Sequence, residues 1–420
     1  MSRRDPASLQ ATTQPGNLQV CESGGAYAKF RDPMSISPVA APVAEPSATF
    51  RLLAGGPAAY ARIFDRIATA RRSILVRAFE WRDDATGQAL AQALLAAADR
   101  GVEVTIVKDH VGAYYEYLEG TNQSLFHKRV ELIPRLGTWV LMGWYGRWGS
   151  LRQTPSAVAE ALRDHPRVHL VAEKRFDHSK LYVFDDETVI LGGMGIGDDF
   201  RHVNIDFMVE VSGGRAAERL AERYEQGVRF DGERSFDYLL HSFRGRAANG
   251  ESLADQRLAL INQTRERLTI AMAYLGDPAA TEALVAAVRR GVRVTLLTAA
   301  RANVGADLNL YTCATLLRRT GHAENLRIVL HPTMVHAKAL VGDGAWATVG
   351  STNFTVLSHG DYEEVDILCR DREFARELER AIEREALAGT PAKLPLPWKP
   401  FRLAFEWGVS AYQGRTRARR

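Results

Sequence analysis

The sequence predicts an α/β protein built from two similar halves. Each is a mostly parallel mixed sheet flanked by helices, and the two pack about a pseudo-twofold axis with one site at the junction. Three observations carry this expectation. Helical and strand-like patterns alternate from residue 57 onward. The segments RRSILVRAFEW at 71–81 and RGVEVTIV at 100–107 are echoed by RERLTIAMAYL at 265–275 and RGVRVTLL at 290–297. One polar motif, H-x-K-x4-D, occurs in both halves, so the chain reads as an internal duplication.

Taken in order, residues 1–48 hold Pro6, Pro15, Pro33, Pro38, Pro42 and Pro46 among Ser, Ala, Thr and Gln without any period, which predicts a disordered leader. The first half spans 49–245. In it Tyr60, Ile63, Phe64 and Ile67 recur at helical spacing, Ser73–Phe79 and Val102–Val107 are strand-like, and Gly87–Arg100 is helical between them. The second half spans 246–390 and repeats this grammar, and 391–420 form a basic, aromatic tail.

At 46% hydrophobic and 25% charged, the 420 residues have an ordinary globular balance, which excludes a fibrous or wholly disordered chain. No run reaches the roughly 18 apolar residues of a membrane-spanning helix. The start, MSRRDPASLQATTQ, lacks the apolar core of a signal peptide, so the expectation is a cytoplasmic protein, soluble or peripheral on the inner membrane. Cys21, Cys313 and Cys369 are far apart and predict free thiols. Residues 391–420 net +6, and since the whole chain is +4 the remainder nets −2. A basic tail on a slightly acidic body disfavours nucleic acid and favours an anionic surface met by the tail.

The repeated motif comprises His178, Lys180 and Asp185 in the first half and His336, Lys338 and Asp343 in the second. Chance predicts about 0.01 occurrences in a chain of this composition. Both copies keep Lys although Arg supplies 46 of the 54 basic residues. One residue separates His from Lys, so in an extended segment both face one side and form a cationic pair suited to a phosphate. Asp206 and Glu364 each follow a motif histidine by 28 residues and are candidates to hold an imidazole through its second ring nitrogen. Asp185 and Asp343 are open to a structural or a catalytic reading, since strand alternation turns them away from the His–Lys face. His202, His322 and His359 read as structural.

These paired motifs, followed by GG or GS strands, resemble the phospholipase D superfamily over about residues 55–390. Within that span WRDD at 81–84, RGVEV at 100–104, GGMGIGDDF at 192–200 and VGSTNF at 349–354 are similar to bacterial cardiolipin synthases. The resemblance implies a covalent phosphohistidine mechanism, with His178 as nucleophile and His336 as general acid, although the sequence alone is symmetric on this point. It further implies that Lys180, Lys338 and the Asn353 amide neutralise the phosphoryl oxygens, with no metal and no cofactor. One position departs from the pattern: Gly195 stands where a second asparagine matching Asn353 belongs, leaving backbone N–H groups or Ser351 to supply that contact.

Three activities compete on these residues. A phosphatidyltransferase forms cardiolipin from phosphatidylglycerol or a second phospholipid donor, a hydrolytic phospholipase D releases phosphatidic acid, and a nuclease of the same superfamily cleaves a phosphate backbone. The partners expected are a phospholipid, an acceptor alcohol such as a glycerol group, and an anionic membrane surface, with the oligomeric state open. Between the second strand and the motif the first half is longer, with 71 residues from Val107 to His178 against 39 from Leu297 to His336. The excess falls in an aromatic insert at about 111–150, read as either a membrane contact or a hairpin over the core.

Overall fold

The strand-like runs pair in two sheets. In the computed structural model the described residues are 47–118, 124–126, 156–173, 176–226, 235–241 and 252–417. Nearly all of the expected leader, and the insert beyond 111–118 and 124–126, lie outside them. The first sheet holds β1 (Thr49–Ala54), β2 (Ser73–Ala78), β3 (Glu103–Asp109), β4 (Val168–Glu173), β5 (Leu181–Phe184), β6 (Thr188–Gly192) and β7 (Phe207–Ser212), in the order β1-β7-β6-β5-β2-β3-β4. The second holds β8 (Phe236–His241), β9 (Arg267–Met272), β10 (Arg293–Ala299), β11 (Leu326–His331), β12 (Lys338–Gly342), β13 (Trp346–Gly350), β14 (Glu364–Cys369) and β15 (Thr390–Pro391), in the order β15-β11-β10-β9-β12-β13-β14-β8.

Both sheets are mixed and flanked by helices, in two similar halves. Their balance differs from the mostly parallel expectation. Only β2, β3 and β4 in one sheet and β9, β10 and β11 in the other run parallel, and the remaining pairs among the described strands are antiparallel. Parallel pairing needs a crossover helix. The motif strands β5–β6 and β12–β13 are instead joined by short turns, which dictate antiparallel neighbours. The strand β8 precedes residue 245 yet pairs with β14 and so belongs to the second sheet.

The repeated RGV triplets have a local cause. Helices Ala85–Asp99 and Pro278–Arg289 end before Gly101 and Gly291, whose φ of 98° and 90° suit a residue without a Cβ. Their starts also match, because Asp84 and Asp277 accept first-turn amide hydrogens from Gly87 and Ala279 at 2.9 and 2.8 Å.

Both faces of the motif strands are buried, so alternate residues feed different cores. Leu181 and Val183 of β5 join Ala339 and Val341 of β12 in one central cluster shared by the halves, whereas Tyr182 and Phe184 face an outer core and Leu340 another. Each of the Leu, Val and Phe side chains among them contributes about 1.5–3 kcal/mol on full burial. The two motif strands are therefore fixed to one another through the common core.

Candidate functional site

Each histidine lies on the segment just before a motif strand, and that segment runs beside the opposite half. The His178 amide donates to the Glu363 carbonyl at 2.8 Å, and the His336 amide donates to the Ile205 carbonyl at the same distance. Isolated parallel bridges join Asp177 to Glu363 and Ile205 to Val335. This backbone pairing sets the next residue of each partner, Glu364 and Asp206, against the imidazole.

The carboxylates are exchanged between halves. His178 Nδ1 lies 3.0 Å from both carboxylate oxygens of Glu364, and His336 Nδ1 lies 2.9 Å from Asp206 Oδ2. A carboxylate on Nδ1 fixes the tautomer and leaves Nε2 for chemistry. The separation of 28 residues therefore marks equivalent positions in the two halves, not contacting ones.

The supports of these carboxylates differ. The Ser351 hydroxyl donates to Glu364 Oε2 and accepts the Val365 amide hydrogen at 3.0 Å. Ser351 is thus a support of Glu364, with no exposed surface and its hydroxyl engaged by that carboxylate. At the matching position Gly193 packs against Asp206, whose oxygens would lie 2.6 and 2.8 Å from an added Cβ. A shorter acid beside glycine replaces a longer acid beside serine.

Lys180 Nζ donates to the His178 carbonyl at 2.6 Å, and Lys338 Nζ donates to the His336 carbonyl at 2.5 Å. Lys338 Nζ also lies 3.0 and 3.1 Å from the two ring nitrogens of His336. Aromatic rings frame the pairs: Phe79 stands edge-on to His178 at 4.9 Å and Phe200 edge-on to His336 at 5.1 Å.

Burial governs the titration of this cluster. It pushes both imidazoles well below their ordinary range, and the two neighbouring ammonium groups push in the same direction. Burial also lowers Lys180 to about 8 and Lys338 to about 7, and raises Asp206 to about 6 and Glu364 to about 7. An entering anion would stabilise the cationic forms of the lysines and imidazoles together.

His178 and His336 line one cavity of about 130 Å³ with Asn353, Tyr274, Tyr362 and Glu406. Asn353 Oδ1 is buried without a hydrogen-bond partner and can only accept, so contact with an anion would fall to the amide N–H. The first half has no counterpart, for a reason visible at Gly195: a Cβ there would lie 2.6 Å from Cε2 of Phe200, and the Gly195 carbonyl accepts the Tyr60 hydroxyl at 2.6 Å. Phe200 fills the space that a side chain at 195 would need.

Asp185 and Asp343 stand at the far ends of β5 and β12, away from the cavity. Each occupies a turn with φ near the left-handed region, 53° and 54°, which Asp tolerates better than most residues. Asp185 accepts the amide hydrogens of Arg71, Arg72 and Ser73 at 3.1, 2.7 and 3.1 Å, and Asp343 those of Arg265, Glu266 and Arg267 at 3.0, 2.9 and 2.9 Å. These carboxylates tie the motif turn to the strand beside it. His359 Nδ1 bonds to Asp277.

Glu406 is one of the cavity residues that sequence reasoning passed over. It comes from the helix Pro400–Arg417, is buried, and accepts the Leu308 amide hydrogen at 2.8 Å. The available signal was its isolation, a single acid among seven bases in residues 391–420. Cys313 and Cys369 are buried free thiols. Among the described residues no three of His, Cys, Asp and Glu are grouped to hold a metal ion, and no helix is long and apolar enough to cross a membrane.

Comparison with known proteins gives the family and the fold. Residues 63–227 and 258–386 match the family model described as cardiolipin synthase, PLD-like domain. The chain is 28% identical over 365 residues to cardiolipin synthase A of Pseudomonas aeruginosa, covering 81% of this chain and 68% of that one. It is 25% identical over 358 residues to cardiolipin synthase B of Escherichia coli, covering 78% of each. Among solved structures, phosphatidylserine synthase of Haemophilus influenzae superposes with a TM-score of 0.63 at 13% identity, covering 88% of this chain and 93% of that one, which shows a common fold. With both motif histidines at one cavity and the family model matched over more than half its length, the chain belongs to the family described as cardiolipin synthase, PLD-like domain.

Proposed function

We propose that this protein is a phosphatidyltransferase that forms cardiolipin from two molecules of phosphatidylglycerol and releases glycerol. The observation that carries the reading is the pair of imidazoles, one from each half, each held at Nδ1 by a carboxylate and both lining one cavity with Asn353. His178 Nε2 attacks the phosphorus of the first lipid, and the bond to the glycerol oxygen breaks as His336, protonated with the bound anion, gives its proton to that oxygen. The product of this step is a phosphatidyl group on His178. His336, now neutral, takes the proton of a glycerol hydroxyl on the second lipid, whose oxygen attacks phosphorus as the bond to nitrogen breaks.

Lys180, Lys338 and Asn353 offset the charge on the non-bridging oxygens. Water in place of the second lipid would give phosphatidic acid by the same steps. The net +6 of residues 391–420 supports an anionic membrane surface as the partner.

Mass spectrometry of lipids after incubation with phosphatidylglycerol vesicles in EDTA tests the proposal, with His178→Ala and His336→Ala as controls. Cardiolipin from the wild type and none from either variant is expected. Phosphatidic acid alone would make the protein a hydrolase, and no lipid product would overturn the assignment.

A further inference from the structure

The wall of the cavity has an outer side that the reaction does not use. The helix Pro400–Arg417 packs on the helices Ala306–Arg319 and Val356–Gly360. Its Glu406 faces inward, lining the cavity and capping a first-turn amide of Ala306–Arg319. The next residue, Trp407, is 51% exposed, and Phe401 in the same helix is 76% exposed. Val356 is 47% exposed although its neighbours Thr355 and Leu357 both line the cavity.

Of the five large apolar side chains that are strongly exposed among the described residues, three thus sit on the two helices that wall the site. Single exposed hydrophobics are ordinary; a group on the rim of a functional cavity marks a contact surface. Lys393 and Lys399 are exposed on the approach to the helix, and the sequence adds Arg402, Arg415, Arg417, Arg419 and Arg420. Aromatic rings interleaved with cations fit the headgroup layer of an anionic bilayer, with rings at the acyl boundary and cations on phosphates.

We infer that Phe401, Trp407 and Val356, with Lys393 and Lys399, form the face that docks on an anionic lipid bilayer. This inference rests on the phosphatidyltransferase reading for the identity of the substrate. Because Glu406 and Trp407 are consecutive, docking holds the cavity within about one helix diameter, ~10 Å, of the headgroups. The bilayer then lies beside the chamber that consumes its lipids.

Deleting the helix would remove Glu406 from the cavity and uncap Ala306–Arg319, so outward-facing substitutions give the cleaner test. The full chain and the double variant Phe401→Ser, Trp407→Ser are sedimented with phosphatidylglycerol vesicles and with phosphatidylcholine vesicles. Both proteins are also assayed on short-chain phosphatidylglycerol in monomeric solution. The expected result is preferential binding of the wild type to the anionic vesicles, a loss of about tenfold or more in the variant, and short-chain turnover unchanged within about twofold. Equal vesicle binding by the two proteins overturns the inference, as does a wild-type dimer that the variant fails to form, which would give the face to a second copy. A tenfold binding difference with no lipid product from either protein would support the docking face while refuting the phosphatidyltransferase reading.

Discussion

Asp206 Oδ2 lies 2.9 Å from Nδ1 of His336 although the two residues belong to opposite halves of the duplication. Glu364 returns the contact on His178 at 3.0 Å. Each half thus supplies a histidine to the other half's carboxylate, and neither has a complete site alone. This reciprocity is what a pseudo-twofold junction imposes, because whatever one copy does to its neighbour the neighbour does in return.

Exchange of partners makes a directional prediction. Asp206→Asn should disturb the tautomer of His336 and leave the Nδ1 contact of His178 intact, while Glu364→Gln should do the reverse. A fall in kcat on the order of 10²–10⁴-fold is expected for each. Imidazole nitrogen chemical shifts in the two variants check the pairing, and a change at the histidine of the same half would sink it.

The roles of the histidines separate when the leaving group needs no proton. With a nitrophenyl phosphodiester, His336→Ala should still release about one equivalent of nitrophenolate in a burst and then stall, because no base remains to activate the acceptor. Digestion and mass spectrometry should find the phosphoryl group on His178. A group trapped in His178→Ala on His336 instead would invert the assignment.

Activity should fall as pH rises through the range set by the lysines. Burial brings Lys338 to about 7 and Lys180 to about 8, and an ammonium is charged only below its pKa. The free enzyme therefore loses these two cations over that interval, and kcat/KM declines. A bound phosphodiester anion favours the ammonium form, so the basic limb of kcat belongs at higher pH. Coincident limbs in the two profiles would contradict this account.

Asp185 and Asp343 should matter for stability rather than turnover. Burial opposes their ionisation, but backbone amides at Arg71–Ser73 and Arg265–Arg267 outweigh it and lower both pKa values. A carboxylate with a depressed folded pKa adds stability above its unfolded pKa, and that stability is lost as pH falls through the folded value. Alanine at either position is expected to cost about 1–2 kcal/mol at neutral pH. Urea melts should show the difference from wild type shrinking below about pH 4, with kcat of the folded protein retained.

Gly195 is confined by Phe200, so Gly195→Ala should destabilise by about 1–3 kcal/mol through overpacking. Adding Phe200→Ala opens the space, and the double variant should cost less than the sum of the single ones. Additive losses in a double-mutant cycle would show that the contact is not what excludes a side chain there.

Asn353 has the opposite character: it lines the cavity, and its amide N–H, not the buried and unpartnered amide oxygen, is the group that can donate to an anion. Asn353→Ala should leave the melting midpoint almost unchanged and lower kcat on the order of 10²–10³-fold, the usual effect of removing one donor to a developing anion. A large loss of stability with unchanged kcat would assign it to the framework.

The sequence by itself determined the duplication, the two His–Lys pairs, the identity of both carboxylates and the family. Such features are short-range: residue types at fixed spacing on an extended segment share a face, and a motif repeated in both halves can be read without knowing what it touches. Spacing also showed that Asp185 and Asp343 turn from the His–Lys face, but not that each binds three backbone amides of a neighbouring strand. Tertiary structure alone decided that Asp206 serves His336 and Glu364 serves His178, that Ser351 supports Glu364, that Phe200 occupies the place of a side chain at 195, and that Glu406 closes the cavity. The exchange of carboxylates depends on which surfaces the common core presses together across 130 and 186 residues of chain, and the other contacts depend on how neighbouring strands and loops pack there. Burial, not the local sequence, is the largest cause of the shifts of His178, His336, Lys180, Lys338, Asp206 and Glu364.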